Sequence, residues 1–135
     1  MNPCIDLDVG ITEEMLALRE TCHRFAAEVL RPIGARLDRM TPEEVIAKGS
    51  PLWEGLEKFK QLGLVGMPDC YGPDLTPEAR ALMHAMVIEE LCWGDVGLSI
   101  TYALYNLGPI VARQMGRDDL AEFFARREEF FCLAL

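Results

Sequence analysis

Residues 96–107, VGLSITYALYNL, carry no charged side chain, and their polar groups are confined to Ser99, Thr101, Tyr102, Tyr105 and Asn106. A helix built from such a run has no charged face to offer water, so the sequence predicts a buried helix. The run is shorter than the roughly 20 apolar residues that a bilayer crossing needs. It follows directly on Gly94-Asp95, a turn signal in which the aspartate is placed to cap a helix. The other amphipathic segments are expected to pack around this stretch. Its small and apolar positions (Gly97, Ser99, Ile100, Ala103, Leu104 and Leu107) suit either a core or one side of a slot for a long apolar ligand. Patterning leaves both readings open.

The flanking chain reads as helices throughout. Thr12-Glu13-Glu14 supplies a hydroxyl cap and two first-turn carboxylates, where the helix dipole favours negative charge. From there Met15, Leu18, Cys22, Phe25, Val29, Ile33 and Leu37 recur at steps of three and four and trace one apolar stripe. Pro32 lies inside that stripe and should kink or divide the helix near Leu30, because proline donates no backbone hydrogen bond. Thr41-Pro42-Glu43-Glu44 has capping-box spacing and opens a short helical turn. Ser50-Pro51 opens a second helix over residues 51–62, with Leu52, Leu56, Phe59 and Leu62 on one face and Gly63 as its stop. A Gly- and Pro-rich loop follows, with Met67 and Tyr71 as apolar plugs. Thr76-Pro77 then starts a third helix whose inner face is Leu82, Met83, Met86, Val87, Leu91 and Cys92, ending at Gly94. After the central stretch come PIVARQM and a polar helix from Asp118 in which Leu120, Phe123 and Phe124 should face inward.

Charge and motif content exclude several classes of function. With 22 acidic against 13 basic residues and a net charge of -9, the chain lacks the clustered Lys and Arg that recognise a phosphate backbone. Its five cysteines are scattered and never in CxxC spacing, and His23 and His84 stand apart from other ligand types, so neither a disulfide framework nor a zinc or iron site is expected. The first ten residues have no basic n-region or apolar h-region, which predicts a soluble protein of a reducing compartment, read as cytoplasmic. Glu89 and Glu90 are the paired carboxylates of the central stretch. Beside Trp93 at a helix end they are expected to cap or to pair with arginines, not to act as acid and base.

The last six residues, FFCLAL, change period to a solid apolar run, the pattern of a buried strand. A lone strand cannot satisfy its own backbone groups, so the run is expected to open a further domain. Together with ITEEMLALRETCHRFAAEVLRPIGARLD, LWEGLEKFKQLGLVGMPDCYGPDLT and IEELCWGDVGLSITYALYNLGPIVARQMG, it makes residues 11–135 resemble the N-terminal helical domain of acyl-CoA dehydrogenases. The resemblance implies an all-α orthogonal or up-down bundle of about five to six helices around the central one. It divides the chain into a tail (1–10), the helical domain (11–129) and the start of a β-domain (130–135).

Further implications of the resemblance concern chemistry. FAD and an acyl-CoA thioester would lie between this domain, a β-domain and a C-terminal bundle. A carboxylate removes the α-proton, the β-hydride passes to FAD, and electrons go on to an electron-transferring flavoprotein. The glutamate base and the CoA-binding and flavin-binding loops belong to the other domains, so these 135 residues alone are expected to be inactive, with no catalytic residue of their own. Ser99, Ile100, Ala103, Leu104 and Leu107 match the acyl-pocket segment, and Leu133 and Leu135 the strand that approaches the flavin. Homo-oligomers are common in the family. Tyr102 and Tyr105 are bulky for that segment and would shorten the slot if they pointed into it. The contrasting expectation is a non-catalytic helical module for interaction or acyl binding that keeps only the fold.

Overall fold

The computed structural model describes residues 10–64, 71, 75–105 and 107–126. Every regular element among them is helical: α1 (Glu13–Phe25), a π segment (Ala26–Leu30), α2 (Arg31–Leu37), α3 (Pro42–Ile46), α4 (Pro51–Gln61), α5 (Pro77–Gly94), α6 (Val96–Ala103), α7 (Leu107–Gln114) and α8 (Asp118–Ala125). The all-α reading of the sequence therefore holds. The proposed strand at 130–135, the loop plug Met67 and the tail at 1–9 lie outside the described residues.

Local chemistry accounts for the helix starts. Thr12 accepts from the Met15 amide at 3.3 Å, and Thr76 from Ala79 at 3.2 Å. At α3 the capping box closes in both directions, Glu44 accepting from the Thr41 amide at 2.8 Å and Thr41 from the Glu44 amide at 3.4 Å. Ser50 precedes α4 but makes no capping bond; its hydroxyl donates back to the Val45 carbonyl at 2.5 Å and ties α3 to α4. Gly63, at φ 72°, stops α4 in the left-handed region that residues with a Cβ rarely adopt.

Pro32 does not break the first helix. Instead α1, the π segment and α2 run on continuously, with the Arg31 amide donating to the Ala26 carbonyl five residues back. A wide turn just before a proline absorbs the missing donor without ending the helix. Its effect on register is visible in the core: besides Met15, Cys22, Phe25 and Ile33, the buried set includes Ala26 and Leu30, which the regular three-and-four stripe omits.

The main core gathers Cys22, Phe25, Ala26, Leu30 and Ile33 from the first helix, Leu52, Leu56 and Phe59 from α4, Val87 and Leu91 from α5, and Leu98, Tyr102 and Tyr105 from the α6 region. Phe59 lies between Phe25 and Tyr102, with ring centroids 6.1 and 5.6 Å away. A smaller cluster of Met15, Met83 and Met86 continues it along α1 and α5. Helices α7 and α8 pack chiefly on each other. In α8 the buried residue is Ala121, whereas Leu120 and Phe124 are half-buried and Phe123 is exposed, contrary to the inward placement expected for the three larger side chains. The charge-free run also differs from expectation. Its helix ends at Ala103, Leu107 starts α7, and only one side of α6 is buried.

Candidate functional site

The two sides of α6 have different chemistry. Leu98, Ser99 and Tyr102 are buried against the core. On the opposite side Val96 (57% exposed), Ile100 (52%) and Leu104 (45%) follow one another at four-residue steps and lie open to solvent. Val96 and Leu104 are eight residues apart, so the face is about 12 Å long at 1.5 Å per residue. Ala103 is half-buried beside it, and Trp93, 46% exposed, stands at the end of α5 just before it.

Hydrogen bonding commits the polar side chains of α6 to the helix itself. The Asp95 carboxylate caps α6 by accepting from the Leu98 amide at 2.8 Å. The Ser99 hydroxyl donates to the Asp95 carbonyl at 2.6 Å and the Thr101 hydroxyl to the Gly97 carbonyl at 2.7 Å, so both side chains serve the helix itself. The five residues matched to an acyl pocket are thus not brought to one surface. Ile100 and Leu104 share the exposed face with Ala103 at its edge, Leu107 is half-buried on α7, and Ser99 points to the core. Leu133 and Leu135 lie outside the described residues.

Both tyrosines turn away from the face. Tyr102 is fully buried and donates its hydroxyl to the Leu52 carbonyl at 2.8 Å. Burial pushes its phenol well above the usual range, and the Asp95 and Glu54 carboxylates add to the shift. Tyr105 is buried beneath Lys60, whose ammonium lies 4.9 Å from the ring centroid. Neither ring stands where it would shorten a ligand lying along Ile100 and Leu104.

A polar cluster borders the start of the face. Glu90 accepts from His23 Nδ1 at 2.7 Å and lies 3.8 Å from Arg19, so of the two glutamates it is Glu90 that makes the expected arginine pairing. His23 stacks on Trp93 at 4.4 Å between centroids, and the Arg31 guanidinium sits 4.6 Å from the same ring. No local signal could reveal it, because His23 and Glu90 are 67 positions apart. Among the described residues, one shallow depression of about 400 Å³ is lined by Leu75, Pro77, Arg80, Ala81 and His84, and another of about 300 Å³ lies beside Asp119, Glu122, Phe123 and Arg126.

Among the described residues no group of His, Cys, Asp and Glu could hold a metal ion, and no helix is long and apolar enough to cross a membrane. The α6 face offers apolar contact and shape, and it carries no side chain able to move a proton. The family model described as acyl-CoA dehydrogenase, N-terminal domain, matches residues 12–126. No curated protein and no solved structure matches the chain. Because the family match spans most of the sequence and the described residues form the all-helical bundle such a domain requires, the chain belongs to the acyl-CoA dehydrogenases as an N-terminal helical domain.

Proposed function

We propose that this domain supplies the acyl-chain wall of an FAD-dependent acyl-CoA dehydrogenase, which converts an acyl-CoA thioester to the trans-2-enoyl-CoA. The observation that carries this reading is the exposed, uncharged line of Val96, Ile100 and Leu104, flanked by Ala103 and followed by Leu107. Three sizeable apolar side chains in register on a surface helix mark a surface that something else covers, and a hydrocarbon chain asks for apolar contact of that kind. Ser99 then acts from behind, holding the first turn of α6.

The same face does not fit the polar half of FAD. A diphosphate needs backbone N–H groups or cations, whereas the start of α6 is capped by the Asp95 carboxylate, which would repel it, and the Val96, Ile100 and Leu104 line carries no cation. The described face therefore supports the hydrocarbon part of the thioester. When FAD is bound, in this reading through neighbouring domains, it supplies the hydride acceptor. This chain's own part is to exclude water from the chain-binding side. Electron transfer to a flavoprotein partner, homo-oligomerisation and a soluble cellular location follow as parts of the same proposal.

The test is binding of acyl-CoA thioesters to the native protein with Ile100→Asp and Leu104→Asp. Loss of affinity for long-chain thioesters, with short-chain binding retained, supports the reading. Unchanged long-chain binding overturns it and leaves a helical interaction module as the surviving account.

A further inference from the structure

Three consecutive residues, Trp93, Gly94 and Asp95, form the corner between α5 and α6, and each is docked on the first helix by a different contact. Trp93 meets His23 and Arg31. Gly94 lies so close to the π segment that an added Cβ would come within 2.7 Å of Ala26 Cβ and 2.9 Å of its carbonyl oxygen. Asp95 sits over Gly34, where an added Cβ would collide with the carboxylate oxygen Oδ2.

The docking positions on the first helix fall into two pairs with the same spacing, 23 with 31 and 26 with 34, eight residues in each case. On a regular α-helix, positions eight apart are turned by about 80° from one another at 3.6 residues per turn. Both pairs span the π segment, which takes up one extra residue in its wide turn. Positions eight apart then behave as positions seven apart, only about 20° out of line. His23 and Arg31 thereby reach one indole, and Ala26 and Gly34 fall under adjacent residues of one corner.

We propose that the π turn and the corner it receives aim the α6 face, so that Gly34 and Trp93 are positioning residues for acyl-chain selection. The proposal rests on the reading of that face as an acyl-chain wall. Asp95 is the link: its carboxylate caps α6 through Leu98, its carbonyl accepts from Ser99, and its side chain rests on Gly34. A methyl group at position 34 displaces the cap and tilts the helix that carries Ile100 and Leu104. Neither Gly34 nor Trp93 belongs to the Val96, Ile100 and Leu104 line.

The experiment is the ratio of long-chain to short-chain acyl-CoA affinity in the native protein, for Gly34→Ala, Trp93→Leu and, within the face, Ile100→Phe. Loss of folded protein lowers both affinities alike and leaves the ratio unmoved, so the ratio reports aim and not stability. A shift of about tenfold, the size of one methylene's worth of pocket contact, is expected for Gly34→Ala and in some measure for Trp93→Leu. If Gly34→Ala fails to fold, Trp93→Leu carries the test, since its ring is already half exposed. A ratio moved by Ile100→Phe but by neither positioning variant overturns this proposal and spares the wall. A ratio that Ile100→Phe also leaves unmoved overturns both.

Discussion

The Tyr102 hydroxyl reaches the Leu52 carbonyl across Gly55, whose missing side chain leaves the space that the phenol occupies. A Cβ at position 55 would collide with that hydroxyl and approach Tyr102 Cζ to 3.1 Å and Ile33 Cδ1 to 3.0 Å. Tyr102→Phe should cost about 1 kcal/mol, the net worth of one hydrogen bond. Gly55→Ala should cost about 1–3 kcal/mol by overpacking, despite alanine's better helix propensity. Denaturant titration of the double variant should show less than the sum of the two losses, because phenylalanine lacks the colliding oxygen.

Alkaline pH should expose the same residue. The folded phenol is held neutral well above its ordinary range, chiefly by burial, while in the unfolded chain it titrates near 10. The unfolded state then releases a proton that the folded state keeps. The contribution of Tyr102 is therefore undiminished below about pH 10 and is lost as pH rises beyond it. Unfolding curves from pH 9 to 11 should steepen in this way and flatten in Tyr102→Phe; an equal fall in the variant would rule out Tyr102 as the source.

At the start of α8 the Arg117 guanidinium grips Asp119 with two bonds, 2.9 and 2.7 Å long, and holds its carboxyl at about 2. Carboxyl chemical shifts followed by NMR should place the Asp119 midpoint there, and Arg117→Ala should return it towards about 3.9. The pair favours the folded state above the ordinary carboxylate value and loses that contribution as pH falls towards 2.

Substitutions on the two sides of the bundle should separate function from stability. Phe59→Ala, at a fully buried ring, should cost about 3–5 kcal/mol. Leu104→Ser, on the open face, should change stability by no more than about 0.5 kcal/mol while weakening long-chain acyl-CoA binding. Parallel unfolding and binding titrations check both. A large stability loss in Leu104→Ser would mean that the face is part of the core.

Much of this architecture is legible in the residues themselves. Thr12, Thr41 with Glu44, Thr76 and Asp95 announce their helices because capping is local chemistry, and Pro32 marks the site of the helix irregularity. The form of that irregularity is not local. A π turn and a break both answer a missing donor, and packing of Gly94 on Ala26 accompanies the first. The α6 run shows a different limit. Absence of charge says that a surface is to be covered but not by what, so Ile100 and Ser99 look equivalent in sequence and lie on opposite sides of the helix. The His23, Glu90 and Trp93 cluster depends on contacts between α1 and α5 that only the folded chain creates.

Because both hydrophobic clusters draw on residues no later than Tyr105, the α7 and α8 pair is, among the described residues, secured mainly by its own contacts, with Pro109, Ala112 and Ala121 as its buried apolar side chains beyond that point. Such a hairpin can open at a cost well below that of global unfolding. Its amides should exchange with solvent earlier than those of α1 and α5, and limited proteolysis should cut there first. The face of α6 is thus borne by a helix anchored in the core through Leu98 and Tyr102, while the segment that follows it from Leu107 is the first to yield.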